Sequence, residues 1–144
     1  MVTNLEIGYN GRLGNQMFQY AACYDIAKKL DTDFVIPKFN VDNEKHDGCW
    51  DFSNNKWISY RFRVYECFDI TAKQVDVRET KYKYQEGPFN YRNILELVQD
   101  DVSIQGYFQS EKYFIDSKEE ILEEFTFKEE IYEELDARLQ VIEA

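Results

Sequence analysis

Six residues near the start of the chain, Gly11-Arg12-Leu13-Gly14-Asn15-Gln16, combine side chains and backbone freedom suited to holding a ligand. Arg12 offers a guanidinium fork that matches a phosphate. Asn15 and Gln16 are amides placed where a helix begins, able to cap it or to reach a ligand. Gly11 and Gly14 allow a left-handed backbone or the close approach of a ligand. The elements that must position these residues are readable on either side. The run Leu5 to Tyr9 alternates apolar residues and reads as a short buried strand. A helical pattern follows, to about Leu30. Strand, glycine turn and helix together leave backbone N–H groups and the positive end of a helix dipole at the mouth of a site. Gly8, Gly11 and Gly14 stand three apart, which is neither the dinucleotide fingerprint nor a P-loop. Spacing alone therefore leaves a tight turn without a ligand equally open.

A second stretch, Ile104-Gln105-Gly106-Tyr107-Phe108-Gln109-Ser110, follows a buried strand, Val102 to Ile104. Its residues fall at the carboxyl edge of that strand, where α/β sheets place ligands. Tyr113 and Phe114 read as core rings. Gln109 is the site residue here, because a polar amide among aromatic rings needs a partner. Ser110 caps a short helix, Glu111 to Phe114.

Both stretches carry a resemblance to a known family. Gly11-Arg12-Leu13-Gly14-Asn15-Gln16-Met17-Phe18-Gln19-Tyr20-Ala21-Ala22 closely resembles the N-terminal signature of glycosyltransferase family 11, the α-1,2-fucosyltransferases, with Arg12 in place of a glycine. Gly106-Tyr107-Phe108-Gln109-Ser110-Glu111-Lys112-Tyr113-Phe114 resembles a second block of that family, in the same order. The resemblance implies a Rossmann-like α/β domain, the N-terminal half of a GT-B-type enzyme. It implies inverting transfer of fucose from GDP-fucose to a galactoside 2-hydroxyl, with no metal or other cofactor. Asn15 and Arg12 are then the residues at the chemistry, and Gly11, Gly14, Gln16 and Gln109 contact donor or acceptor. Related O-fucosyltransferases carry a similar loop in their cleft, which singles out Asn15. The family's His-x-Arg-Arg-x-Asp-Tyr block, associated with GDP-fucose, has no counterpart among these residues, whose one histidine is His46. Residues 1–144 are therefore expected to be one N-terminal domain, with the C-terminal donor-binding domain absent, and to show little activity alone. The partners expected are GDP-fucose, a galactoside and that C-terminal half. The rival expectation is a non-catalytic α/β module that binds a glycan, a nucleotide or a partner chain.

Composition narrows the classes. A length of 144 residues suits one domain with a real core. A net charge of −11 disfavours nucleic acid. The acid is concentrated: Asp116 to Asp136 holds ten acidic and two basic residues, a net of −8, so the remainder carries only −3. Cys23, Cys49 and Cys67 form no close pair and fit the reduced thiols of a cytosol, giving an expected cytoplasmic location. No secretory signal and no membrane span are visible.

The remaining elements follow from pattern. Phe34 to Ile36 reads as a strand ended by Pro37, and its helical crossover favours a parallel pair. The helix from Gly14 is apolar all round at first, so it is expected to start inside the molecule and emerge at its far end. Asn40 to Lys56 reads as a loop, with His46 solvated and Trp50, Phe52 and Trp57 either anchoring it or stacking on a sugar. Trp57 to Phe68 alternates like a strand, with Arg61 and Arg63 on a solvated face. Thr71 to Thr80 carries little signal. Lys81 to Gln85 alternates, and Asn93 to Val98 is a short helix or strand. Two tail helices follow, with capping boxes at Ser117/Glu120 and Thr126/Glu129. In the last helix Ile131, Leu135, Leu139 and Ile142 share an apolar face that must pack on something, and Glu134 can pair with Arg138.

Overall fold

A computed structural model of the chain describes residues 1–9, 11–38, 48–59, 63–88 and 90–143. The expectations for Asn40 to His46 and for Tyr60, Arg61 and Phe62 lie outside these residues.

The fold is mixed α/β around a small parallel sheet. Its first strand, β1, is Val2–Thr3. Helix α1 (Leu13–Lys29) crosses to β2 (Val35–Pro37). A hairpin follows, β3 (Gly48–Asp51) and β4 (Lys56–Ser59). The short helix α2 (Val64–Cys67) leads to β5 (Lys73–Val75), β6 (Tyr82–Gln85) and β7 (Val102–Gln105). Helices α3 (Lys118–Glu124) and α4 (Glu129–Glu143) close the chain. β7 pairs parallel to β1 on one side and to β6 on the other. β2 pairs parallel to β5, and a bridge between Val2 and Phe34 sets β2 alongside β1. The strands thus run β5, β2, β1, β7, β6, all parallel. The order advances outward from β1 on one side. On the other it restarts with the late strands, so it reverses between β1 and β7.

Strand β7 is central and covered on both faces, which is why Val102, Ser103 and Ile104 are all buried. Small residues Ala21, Ala22 and Cys23 let α1 lie close against the sheet. On one side of α1, Ala22, Ile26 and Ala27 pack with Val2, Ile94, Val102 and Ile104. On the other, Tyr20 packs with Ile7, Ile36, Val64 and Phe68. Each fully buried aliphatic side chain contributes roughly 1.5–3 kcal/mol. Burial pushes the Cys23 thiol far above its ordinary pKa, which makes it a poor nucleophile.

Several expectations need correction. Leu5 to Tyr9 is not a strand. The pairing stops at Thr3 because the Asn4 side chain accepts the Glu6 N–H at 2.9 Å and turns the chain, and the Leu5 N–H goes to the Ser103 hydroxyl. α1 does not begin inside. Its burial is densest from Gln19 to Cys23, while Gly14 is exposed. The described part of the expected loop, from Gly48, is the β3–β4 hairpin, turned by Asn55 at φ +52°. The strand expected from Trp57 ends at Ser59, and Val64–Cys67 is helical. β5 emerges from a polar segment because it pairs with β2 through its backbone, not through apolar residues. Neither capping box forms: the Ser117 hydroxyl donates to buried Asp25 at 2.7 Å, and the Thr126 hydroxyl donates to the Glu123 carbonyl at 2.8 Å. The 3-10 turn Glu111–Tyr113 is capped by Ser110 as its sequence suggests, and Glu134 pairs with Arg138 at 2.6 Å. Leu135 and Ile142 on α4 stay 51% and 79% exposed, so the apolar face there is uncovered by the chain itself.

Candidate functional site

The two sequence stretches meet at the reversal in strand order. β1 runs out at Thr3 and β7 at Gln105, side by side and in the same direction. The turns after β1 deliver Gly11, whose φ is +93°. A Cβ on Gly11 would lie 2.7 Å from the Asn15 Cβ, so only glycine lets Asn15 stand where it does. From there the Asn15 Oδ1 accepts a hydrogen bond of 2.7 Å from the Gln109 Nε2, across 94 positions of sequence. This contact is exposed. It joins the first turn of α1 to the loop that leaves β7.

The helix end beside it is open. Arg12 is the N-cap of α1 and makes no side-chain capping bond, and the first turn holds no acidic residue. The partial positive charge of the helix start is therefore not neutralised from within the helix. Arg12 is exposed next to it. Gly14 is exposed as well, and a Cβ there would meet nothing within 4 Å. Packing does not demand this glycine, although glycine inside a helix costs about 1 kcal/mol against alanine. Gly14 also borders an apolar groove of about 230 Å³ formed by Met17, Phe18, Ala21, Phe114 and Phe125.

Gln16 turns inward. Its side chain is fully buried, accepts the Val64 N–H at 3.0 Å, and donates to the Gly11 carbonyl at 3.4 Å. It holds the loop against α2 and does not face solvent. Arg63, expected on a solvated face, is also buried, at 3% exposure. It lies along the Gly8 backbone and pairs with Glu66 at 3.3 Å. Of the sequence-derived site residues, the structure brings together Gly11, Arg12, Gly14, Asn15 and Gln109, and gives Gln16 a supporting place.

Glu86 escaped the sequence reading. It follows β6, and its carboxylate accepts the N–H of Tyr107 at 3.1 Å and of Phe108 at 3.2 Å. Gly106, at φ +146°, is forced by it: a Cβ there would sit 2.4 Å from the Glu86 Cβ. Phe108 is left-handed at φ +51°, an uncommon state for a bulky residue, and its ring is fully buried. The only signal in the sequence was Gly106 itself, a glycine directly after a strand. Burial first, and then the Glu86 charge, hold the nearby Tyr113 phenol above its ordinary pKa.

Among the described residues no group of His, Cys, Asp and Glu is placed to hold a metal ion. Nor is any helix among them long and apolar enough to cross a membrane. The chain matches no family model, no curated protein and no solved structure.

Proposed function

We propose that the open start of α1 is the nucleotide-sugar side of a fucosyltransferase-type site, on a Rossmann-like domain of GT-B kind. The observation that carries this reading is the 2.7 Å bond between Asn15 and Gln109, which joins the two family-like motifs at the strand-order reversal. Open α/β sheets bind ligands at such a reversal, outside the carboxyl ends of the strands. A GDP leaving group carries pyrophosphate charge that must be neutralised as the sugar departs with oxocarbenium character. Arg12, the backbone N–H groups at Gly14 and Asn15, and the positive helix end suit that task. Gly14 allows the pyrophosphate to approach the backbone closely. Asn15, held by Gln109, orients a sugar or phosphate oxygen. The donor would be GDP-fucose and the acceptor a galactoside, as the resemblance implies.

Calorimetric titration with GDP-fucose tests this. Saturable binding, lost in Arg12→Ala, is expected; no binding at millimolar ligand would overturn it. Because no His-x-Arg-Arg-x-Asp-Tyr block lies among these residues, a radiolabelled transfer assay on the chain alone is expected to give little turnover. Robust turnover would refute that part of the proposal.

A second reading, a non-catalytic module that docks a partner chain, is favoured by one observation. The apolar groove beside Gly14 and the uncovered face of α4 are surfaces of the kind partners cover. Wild-type GDP-fucose affinity after Arg12→Ala, together with saturable binding of a separately made partner half, would favour it.

A further inference from the structure

A cavity of about 230 Å³ lies beside the Asn15–Gln109 contact, lined among the described residues by Glu86, Tyr91, Tyr107, Gln109, Ser110 and Tyr113. It is smaller than the roughly 300–1,000 Å³ of drug-sized sites, which fits a single sugar ring. We infer that this cavity binds a neutral pyranoside, set against its tyrosine rings with hydroxyls toward Glu86, Gln109 and Ser110. The inference rests on the transferase reading and deepens it, by assigning the acceptor to the Gln109 side of the contact and the nucleotide to the Asn15 side.

The wall is built around a charge. Glu86 lines the cavity; its Cβ approaches position 106 so closely that only glycine fits there, and its carboxylate accepts the N–H groups of Tyr107 and of left-handed Phe108. Strain of that kind persists only where neighbouring structure holds it, and it gathers at ligand sites. The Glu86 carboxylate, with the Lys112 ammonium at the Tyr91 rim, favours a neutral ligand in the cavity over the doubly charged pyrophosphate of GDP. Tyr107, at 37% exposure, and Tyr91, which is also exposed, offer apolar ring surface at the rim. Rings with a polar edge pack against a sugar's C–H face while amide, hydroxyl and carboxylate exchange hydrogen bonds with its hydroxyls. A cationic ligand is the competing occupant, since rings and a carboxylate also suit an ammonium group. The Lys112 ammonium already stands 5.9 Å from the Tyr91 ring centre, which repels a second cation there.

Backbone NMR on the full chain separates the possibilities, with methyl β-D-galactopyranoside, GDP and tetramethylammonium titrated in turn. The glycoside is expected to move the amides of Tyr107 to Tyr113 saturably, with a Kd on the order of 10 mM. Tyr107→Ala and Tyr91→Ala, both at exposed positions, are each expected to weaken it about fivefold. GDP is expected to move Gly11 to Gln16 and not these amides. No glycoside shifts, shifts unchanged in both variants, or saturation by tetramethylammonium in place of the glycoside would overturn the inference. Saturable glycoside binding with no GDP shifts at Gly11 to Gln16 would instead overturn the donor reading and leave the sugar cavity standing.

Discussion

Two polar links tie distant parts of this chain together, and they differ in everything but their reach. The Asn15–Gln109 bond spans 94 positions and lies exposed at the end of the sheet. The other centres on Glu124, only 6% exposed, whose carboxylate accepts the Tyr20 hydroxyl at 2.5 Å across 104 positions. It also accepts the Thr71 N–H at 2.8 Å and the Thr71 hydroxyl. The buried link joins α1, the approach to β5, and α3, and removing its acceptor strands the buried Tyr20 hydroxyl away from water, while the donors of exposed Thr71 turn to solvent. The exposed link strands nothing, because water replaces either amide. A long-range hydrogen bond thus reports on stability where it is buried, and leaves its groups open to water or a ligand where it is exposed.

The sharpest way to break this comparison is to remove Glu124. Glu124→Ala is expected to cost about 2–3 kcal/mol, chiefly because the buried Tyr20 hydroxyl loses its charged acceptor, the donors of exposed Thr71 being rehydrated. A loss below about 1 kcal/mol in urea denaturation would show that the buried link is not structural. The same link predicts an alkaline limit. Burial first, and then Glu124, raise the Tyr20 phenol well above its ordinary 10.0, and the Tyr24 phenol is pushed up to about 12. A raised folded pKa gives stability that is whole below pH 10 and lost as pH climbs beyond it. Tyr20→Phe should flatten that decline.

Next in size is Gly106→Ala, expected to cost about 2 kcal/mol through its φ and its contact with Glu86. Equal stability to the wild type by thermal melting would mean that the loop after β7 is loose. Gly14→Ala should act in the opposite sense. With open space at its Cβ position, it should gain about 0.5–1 kcal/mol while weakening GDP-fucose binding about tenfold. Gained stability with unchanged affinity would make Gly14 a bystander. The smallest effect belongs to Asp100, whose carboxyl is lowered to about 2 by the chain's terminal ammonium, Thr32 and the Asp101 N–H. A lowered folded pKa gives stability that is whole above about pH 4 and lost as pH falls toward 2. Asp100→Asn should remove a small part of the acid sensitivity seen in denaturation between those values.

What could be read from the sequence divides along the same line. α1, β6, β7, the Ser110 cap and the two tail helices were legible because their signals are local: periodicity, caps and apolar runs. β5 was not, because Lys73, Gln74 and Val75 form a strand only through β2. Ser117 looked like a cap and became a partner of Asp25, which sequence separation hides. Arg63 looked solvated until the Gly8 turn folded over it. Residue type, glycine placement and motif resemblance picked out Gly11, Arg12, Gly14, Asn15 and Gln109, and the structure places these five residues close together. Glu86 was not, because its role comes entirely from the loop that wraps it. The uncovered face of α4 runs against the rule that an apolar face packs within its own chain, and no local pattern reveals that.

The central claim is that Asn15 and Gln109 act as one ligand-holding unit, and a double-mutant cycle on GDP-fucose affinity tests it most directly. Asn15→Ala and Gln109→Ala should each leave stability within about 0.5 kcal/mol of the wild type. Each should weaken binding, and the double variant should be hardly weaker than the worse single one, giving a coupling of about 1 kcal/mol or more. Losses that simply add, or wild-type affinity in either single variant, would contradict the account.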